Sequence, residues 1–576
     1  MRALGRAIGN LLRVALLPLW LLARRLSRPK RAWVELHLHS RLIELRVTDP
    51  LWRRLVPAAR TLRATSLQEL RELCDAIARD PQVTGLLVQV PPLEAGWAAC
   101  ASLRQMLLAL RAAGKQVVCY VPEGGGNREL YVALAGDRIV AGPLTAFSPL
   151  GLASRPLYVK HALDRLGIEV QVQACGEYKS AAEPAARESM SEPARRQTEA
   201  LLGSLHAELQ EALCARAGIT PERAKQALAS GLLSAQRARE LGVIDAIAYE
   251  DELPELLAIA PGKGRAFTPA QRYLRYHHAK LWRPIRPQPY IAVIPVRGAI
   301  AVDATGLMQG GATLRRVVGA LRAAASDSAA RAVVLYVNSP GGSALASELI
   351  HREVQRLARK KPLVAYFGDV AASGGYYVAA PARRIVAQPV SVTGSIGVIS
   401  MKVVVSGLLQ RVGVKAEAVQ TTAHADMFSP VRPMTDDEAQ MLQSHAQELY
   451  QRFLQVVAEG RGRSLDEIDT LARGRVWSGR DAQQNGLVDV LGGFDRALDE
   501  ARALLPELSP EQRAKLLPRV HVAEQGEPPP PERSAAQAVE GLLALLPWLP
   551  KSAAQGLYLA RREPALYYAA DLPDSG

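Results

Sequence analysis

The chain has 576 residues and a formal net charge of +15 at pH 7, with 71 Lys and Arg against 56 Asp and Glu. This length allows several domains or one repeated architecture, and the charge suits an anionic membrane surface. Only 5% of the residues are aromatic, and neither zinc-finger spacing nor an RNA-binding motif is present, so we expect no nucleic-acid partner. A basic composition without a specific partner is the alternative. The five cysteines form no C-x-x-C pair, and we expect no metal, no cofactor and no disulfide framework.

The first 31 residues carry eight Arg and Lys and no acid, around an apolar run at 14–23. This run is shorter than the ~20 residues of a membrane-spanning helix, and Pro18 interrupts it. It is compatible with an interfacial anchor, a marginal span or a signal peptide, and a soluble basic helix is the alternative. We expect 1–31 to be a membrane-associating segment.

From residue 32 the chain alternates between strand and helix patterns. Residues 32–46 show the period-two pattern of a strand, and 84–90 and 116–121 are continuous apolar runs. Amphipathic helical patterns at 66–79 and 98–113 lie between them. This alternation of strands and helices predicts an α/β fold of βα units around mostly parallel, buried sheets.

The pattern then recurs in the second half of the chain. Tyr131-Val-Ala-Leu-Ala-Gly-Asp-Arg-Ile-Val140 matches Tyr377-Val-Ala-Ala-Pro-Ala-Arg-Arg-Ile-Val386, and Asn127 and Ser373 precede the two segments at the same offset of 246 positions. The sequence therefore predicts two copies of one domain. We expect the first copy at 32–261, a basic linker at 262–289, the second copy at 290–500 and a C-terminal helical extension and tail at 501–576.

Ser373 is the candidate nucleophile. It stands in Ala372-Ser373-Gly374-Gly375, between an apolar run at 362–367 that predicts a strand and a small-residue segment at 374–380 that predicts a helix. A serine at such a turn presents its hydroxyl beside the first amides of the helix, starting with that of Gly374. An acyl-transfer nucleophile needs an oxyanion donor in this place. A tight turn that serves only backbone packing is the alternative.

Lys179 is the candidate base, because no histidine lies in a matching motif. It stands in Gly176-Glu-Tyr-Lys-Ser180, after a predicted strand at 169–174. Burial lowers the pKa of a lysine, and Ser-Lys pairs are a known variant of the catalytic triad. A solvent-facing loop lysine is the alternative. The second copy has His424-Ala-Asp426 near the equivalent place, so each copy keeps one half of the pair.

Two further glycine turns accompany these residues. Gly341 and Gly342, in Asn338-Ser-Pro-Gly-Gly342, are candidates for a second oxyanion amide, since glycine lets a backbone approach a ligand closely. Thr393-Gly-Ser-Ile-Gly397 is interpreted as structural backbone or as part of a substrate groove. Gly-x-Ser-x-Gly is absent around Ser373, which argues against an α/β-hydrolase.

Together these four motifs resemble the signal peptide peptidase A (protease IV) family, in its long two-copy bacterial form, over about 33–500. The resemblance implies tandem ClpP/crotonase-like domains and a Ser373–Lys179 dyad without a cofactor. It also implies a homotetramer on the bacterial inner membrane, at its periplasmic face, that degrades cleaved signal peptides. The rival hypotheses are a non-catalytic membrane scaffold and a crotonase-type enzyme acting on acyl-CoA.

Overall fold

Two mainly parallel β-sheets, one in each repeat, form the framework of the structure. The computed structural model describes residues 17–18, 21, 32–45, 64–148, 150–259, 265–278, 288–303 and 311–521. Apart from residues 17, 18 and 21, the predicted membrane-associating segment lies outside these ranges, as does the apolar part of the C-terminal extension at 535–549. No helix in the described ranges is long and apolar enough to cross a membrane.

The strands in the described ranges are β1 (Trp33–His37), β2 (Arg41–Ile43), β3 (Ala64–Ser66), β4 (Gly85–Gln89), β5 (Gln116–Val121), β6 (Arg138–Ala141), β7 (Ala146–Phe147), β8 (Glu169–Cys175), β9 (Leu233–Ser234), β10 (Ala246–Ile247), β11 (Thr268–Pro269), β12 (Tyr290–Arg297), β13 (Ile300–Ala301), β14 (Ala312–Thr313), β15 (Ala330–Ser339), β16 (Leu363–Ala372), β17 (Arg384–Ala387), β18 (Val392–Gly394), β19 (Val398–Val404), β20 (Val476–Ser478), β21 (Val490–Leu491) and β22 (Leu517–Val520).

The α-helices are α1 (Leu67–Arg79), α2 (Trp97–Ala112), α3 (Asn127–Ala133), α4 (Lys160–Leu166), α5 (Glu183–Ala186), α6 (Glu192–Cys214), α7 (Pro221–Ala229), α8 (Ala235–Glu240), α9 (Leu253–Leu256), α10 (Ala270–His278), α11 (Leu314–Ser326), α12 (Ala344–Ala358), α13 (Gly374–Ala379), α14 (Ser406–Arg411), α15 (Asp436–Arg461), α16 (Leu465–Leu471), α17 (Gly479–Gln484), α18 (Phe494–Ala503) and α19 (Pro510–Ala514).

The first sheet contains six parallel strands in the order β10-β6-β5-β4-β1-β11. Its central strands are buried on both faces, as their continuous apolar sequences require. The range expected to be a linker contributes β11, which pairs with β1, and α10, whose Tyr273 is buried in the core of the first copy.

The second sheet repeats this arrangement in the order β20-β18-β16-β15-β12-β22, with β17 joining β16 to β21. All of its pairs are parallel except β18 with β20. The C-terminal extension supplies β22. The two sheets and their covering helices confirm the predicted α/β class.

Element bounds agree with the sequence pattern where strands are continuously apolar, as in β5. The predicted strand over 32–46 is wrong in extent, because the chain breaks into β1 and β2. The amide of His39 between them donates to the hydroxyl of Thr65, 2.8 Å away, and β2 turns to pair with β3. A side-chain acceptor from a later segment thus ends the strand, which local periodicity does not reveal.

The copies contact each other through a strand pair and through hydrogen bonds at several further places. Strand β8 of the first copy pairs antiparallel with β19 of the second along seven residues, from Glu169 opposite Val404 to Cys175 opposite Val398. In one of these contacts, a carboxylate oxygen of Asp369 accepts from the amides of Ala98 (2.9 Å) and Ala99 (3.3 Å) at the start of α2. An acidic group at a helix N-terminus is a favourable contact, and it joins the strand that precedes Ser373 to the first copy.

Candidate active site

Ser373 occupies a strained turn between β16 and α13. It is the N-cap of the helix, with φ of 53° and ψ of −122°, a left-handed conformation that costs a non-glycine residue energy. The amide of Ser373 donates to the carbonyl of Gly394 (2.8 Å), and its carbonyl accepts from Tyr377 (2.9 Å), so both sides of the turn are fixed. Ser373 stays partly exposed between the buried Ala372 and Gly374. The turn therefore holds the hydroxyl at the surface of a rigid framework.

Glycine backbones pack directly against this turn. Gly341 has φ of 97°, and a Cβ there would lie 2.6 Å from the amide nitrogen of Gly374 and 2.8 Å from the Cβ of Ser373. A Cβ on Gly374 would lie 2.4 Å from the hydroxyl of Ser347 and 3.4 Å from the amide nitrogen of Gly342. Any side chain at Gly341 would push the Ser373 turn away, so this glycine is required on steric grounds.

The structure brings Lys179 to the same place. Its Nζ atom lies 3.1 Å from the Oγ atom of Ser373, 2.8 Å from the Oγ atom of Ser395 and 2.7 Å from the carbonyl oxygen of Ser395. Although the residue as a whole is partly exposed, burial lowers the pKa of its amine to about 7. A large fraction of Lys179 is therefore uncharged near neutral pH.

The loop that carries Lys179 is held by the second copy. The amide of Tyr178 donates to the carbonyl of Arg473 (2.9 Å), and a Cβ on Gly474, which has φ of 77°, would lie 2.6 Å from the backbone nitrogen of Lys179. From α6, Gln197 donates to the carbonyl of Tyr178 (3.1 Å) and accepts from the amide of Val476 (3.3 Å). These contacts fix the lysine backbone on the copy that carries the serine.

Ser395 was not predicted as a partner of the lysine. The sequence predicts a structural or substrate-groove role for its motif, whereas the hydroxyl and the carbonyl of Ser395 both accept hydrogen bonds from Lys179. Ser395 also has a positive φ of 52°, and its amide donates to the carbonyl of Arg475 (2.7 Å). Ser395 directly follows β18, and its Thr-Gly-Ser sequence gives only a weak signal, because the contact with Lys179 depends on where a distant loop docks.

The corresponding turn in the first copy lacks a serine. Asn127 occupies the place of Ser373, and its side chain exchanges two hydrogen bonds with the backbone of Gly151, of 2.7 and 3.0 Å. Next to it, the buried carboxylate of Glu129 accepts from the amides of Leu93 and Gly126. The side chains of Asn127 and Glu129 thus form hydrogen bonds with the backbone groups around this turn.

The predicted site residues fall into two groups. Ser373 and Lys179 are in hydrogen-bond contact, and Gly374, Gly341 and Gly342 lie around the serine turn. The amide of Gly341 donates to the hydroxyl of Ser339 (3.1 Å).

In the parts of the chain that the structure describes, no group of three or more His, Cys, Asp or Glu side chains lies close enough to hold a metal ion.

The sequence family model described as Peptidase family S49 matches this chain twice, at residues 109–261 and 355–507. The two matches start 246 positions apart, which is the offset of the internal repeat. Among solved structures, a ClpP1 mutant from Listeria monocytogenes aligns with 36% of this chain and 93% of its own, with a TM-score of 0.24 and 14% identity.

Three relatives are similar along most of the chain. Serine protease SPPA, chloroplastic, from Arabidopsis thaliana is 32% identical over 447 residues, which cover 76% of this chain and 65% of the plant protein. Protease 4 from Salmonella typhi is 33% identical over 455 residues, which cover 77% of this chain and 72% of the Salmonella protein. Protease 4 from Haemophilus influenzae is 33% identical over 445 residues, which cover 74% of this chain and 71% of the Haemophilus protein.

Proposed function

This chain belongs to peptidase family S49 and is a serine protease, and we propose that it is an endopeptidase whose catalytic dyad is Ser373 and Lys179. The observation that carries the proposal is the 3.1 Å contact between the serine Oγ atom and the lysine Nζ atom. A pKa of about 7 supports the role of Lys179, because a general base works best when its pKa is near the working pH.

In the proposed reaction, the Oγ atom of Ser373 attacks the carbonyl carbon of the scissile peptide bond. Neutral Lys179 takes the hydroxyl proton, and the resulting ammonium gives a proton to the leaving amine as the peptide bond breaks. A water molecule then hydrolyses the ester on Ser373, again with Lys179 as the base. Ser395 acts as a positioning residue, because its two acceptors direct the Nζ atom toward the serine.

The oxyanion of the tetrahedral intermediate would be held by backbone amides. Gly374 is the first residue of α13, where an amide has no acceptor within the helix, and the helix N-terminus favours negative charge. Of the two glycines expected to supply a second donor, Gly342 is favoured, since the amide of Gly341 already donates to Ser339. The proposed oxyanion hole is thus Gly374 with Gly342.

We extend the proposal to the substrate and the location by family resemblance. Cleaved signal peptides are the proposed substrates, and a homotetramer at the periplasmic face of the bacterial inner membrane is the proposed setting. The basic N-terminal segment, with eight Arg and Lys in 1–31, supports attachment to an anionic membrane surface.

The test is hydrolysis of a synthetic leader peptide by the detergent-solubilised protein. We expect Ser373→Ala and Lys179→Ala each to lower kcat/KM by at least about 1,000-fold while circular dichroism shows a folded chain. Lys160→Ala is the matched control, since Lys160 is a surface lysine of the same copy, paired with Asp164. The dyad is wrong if Lys179→Ala keeps the activity of the control, and the nucleophile is wrong if a fluorophosphonate probe labels Ser373→Ala.

A further inference from the structure

A basic cavity lies at the end of the second sheet opposite to Ser373. It includes Leu363, the first residue of β16, whereas Ser373 follows the last residue of that strand. A strand of ten residues is about 30 Å long, so the cavity is separate from the proposed active site. Its volume is about 540 Å³, which is within the range of cavities that hold small molecules.

The walls of this cavity carry an excess of positive charge. Of the described residues that line it, five are Arg or Lys and one, Glu459, is an acid. The cations belong to the turn after α12, the turn before β17 and the end of α15, and they are Arg359, Lys360, Lys361, Arg383 and Arg461. Three segments thus bring like charges together, and an anion between them would relieve their repulsion.

Two of the five cations have partners inside the protein. The Nζ atom of Lys361 donates to two backbone carbonyls, at 2.7 and 2.6 Å. Arg461 donates to a carboxylate oxygen of Asp489, 2.8 Å away. In the first copy, Lys115 and Arg216 make the corresponding contacts. These two cations therefore belong to the framework that both copies share.

The other three cations, Arg359, Lys360 and Arg383, are exposed. Neighbouring arginines are paired with acids: Arg356 lies 2.8 Å from a carboxylate oxygen of Glu353, and Arg384 is paired as well. In the ranges that the structure describes, none of the three exposed cations forms an ion pair. Their charges are therefore available to a ligand.

The internal repeat shows which group is missing from this place. Arg383 corresponds to Asp137, 246 positions earlier, and their amides donate to equivalent carbonyls, those of Leu363 (2.9 Å) and Val117 (2.7 Å). The carboxylate of Asp137 accepts from the amide of Val117 (2.8 Å) and from Arg111 (2.6 Å). The second copy has an arginine instead of this carboxylate. An anion from solution can therefore take the place of an acid that is built into the first copy.

A buried histidine is a second observation that points to a ligand. His351 lines the cavity and is 1% exposed, and its ring packs against Tyr377 with centroids 5.3 Å apart. Its buried Nδ1 atom has no hydrogen-bond partner in the described part of the chain, although buried polar atoms almost always have one. Burial lowers the pKa of His351 to about 4, so the ring is neutral at pH 7. A neutral ring can donate from Nδ1 to an oxygen of a bound molecule.

We propose that this cavity binds a phosphate group, carried by a small organic molecule or by a phospholipid head group. Arg359, Lys360 and Arg383 would hold the phosphate oxygens, and His351 would donate to a further oxygen of the ligand. A phosphate dianion suits three cations better than a carboxylate does, and guanidinium groups match its oxygens with parallel hydrogen bonds. Proline, alanine and leucine side chains in the walls favour a ligand with a short apolar part. The inference does not depend on the proposed dyad.

Isothermal titration calorimetry of the full-length protein in a non-ionic detergent tests the site. Glycerol 3-phosphate is the free probe, and we expect one saturable site per chain. Arg383→Asp restores the acid of the first copy and should weaken binding at least about 10-fold, the effect of one lost hydrogen bond to a charged group. Arg315→Asp is the matched control, because Arg315 is exposed on α11 and its replacement changes the net charge equally.

Vesicle sedimentation distinguishes a free phosphate from a lipid head group. Phosphatidylcholine vesicles with and without phosphatidylglycerol are mixed with the wild type and with both variants. If Arg383→Asp, but not Arg315→Asp, weakens binding only to the phosphatidylglycerol vesicles, the ligand is a head group. Equal losses in the two variants show general charge attraction and overturn the proposal. A wild type that binds neither probe, or an Arg383→Asp protein with unchanged affinity for both, also overturns it.

His351→Phe tests the interior of the cavity. It keeps a ring against Tyr377 and removes the nitrogen atoms, and we expect the affinity for the bound probe to fall about 10-fold. Unchanged affinity would show that the phosphate does not enter the cavity, and the site would be wrong. Melting temperatures without ligand show that each variant is folded. The double variant Arg359→Ala with Lys360→Ala, at two exposed residues, provides the same test if Arg383→Asp does not fold.

Discussion

The Nζ atom of Lys179 lies 3.1 Å from the Oγ atom of Ser373, although 194 positions of sequence separate the two residues. The contact exists because β8, which ends at Cys175, pairs with β19 of the second copy along its full length. The proposed base and the proposed nucleophile thus come from different copies. The geometry of the site depends on the contact between the copies as much as on either copy alone.

The pH dependence of hydrolysis should follow the titration of Lys179. We expect kcat/KM to rise with pH, with a midpoint at about 7, and to level off above it, because only the uncharged amine accepts the serine proton. The measurement is a profile from about pH 5 to about pH 9.5 at constant ionic strength. A rate that still climbs tenfold per pH unit above pH 9 would contradict a lysine of lowered pKa.

Replacing this lysine should stabilise the fold near neutral pH. The unfolded chain keeps the lysine proton up to about pH 10.5, whereas the folded chain loses it near 7, so wild-type stability rises with pH between these values. We expect Lys179→Met to be more stable than wild type at pH 7, by a margin that narrows by at most about 1.4 kcal/mol per pH unit as pH rises.

Urea denaturation at three pH values measures this margin. Lys160→Met serves as the control, because Lys160 is exposed on the surface and should show no such gain. A Lys179→Met protein that is less stable than wild type at pH 7 would show that the amine contributes more through its contacts than its burial costs.

The hydroxyl of Ser395 should matter for kcat more than for KM. Ser395→Ala removes one of two acceptors of the Lys179 Nζ atom, and we expect kcat to fall about 10- to 100-fold. The midpoint of the pH profile should move to lower pH, since an acceptor favours the ammonium. Ser395→Gly keeps the positive φ without strain and separates the hydroxyl from the backbone. Activity lost only in the alanine variant would assign the effect to backbone strain.

Gly474 should be intolerant of a side chain. A Cβ there would meet the backbone of Lys179 at 2.6 Å, so Gly474→Ala displaces the lysine loop, and we expect kcat/KM to fall at least about 100-fold. Gly462→Ala is the matched control, because Gly462 also has a positive φ, of 64°, with open space around it. The control should cost about 1–2 kcal/mol of stability and leave kcat/KM intact. Equal activities in both variants would refute the steric role.

The sequence predicts the position of Ser373, the candidate nucleophile, better than it predicts the residues around it, for physical reasons. A buried strand followed by Ser373 and two glycines is a local pattern, and local backbone preferences determine it. The role of Lys179 depends on the pairing of strands from two copies, which the resemblance implied but no periodicity reveals. Ser395, Gly474 and Gln197 are set by tertiary contacts with that loop, so nothing in their own segments identifies them.

The hydrogen bonds from Ala98 and Ala99 to Asp369 have a consequence for synthesis on the ribosome. The lysine loop leaves the ribosome well before the serine turn does, and the strand that leads to the serine gains its contact with the first copy only when it reaches the earlier helix. In the proposed mechanism, a nascent chain carries the lysine base without its nucleophile until the second copy has been translated and has docked. Peptide hydrolysis by the proposed dyad would therefore start only after this docking step.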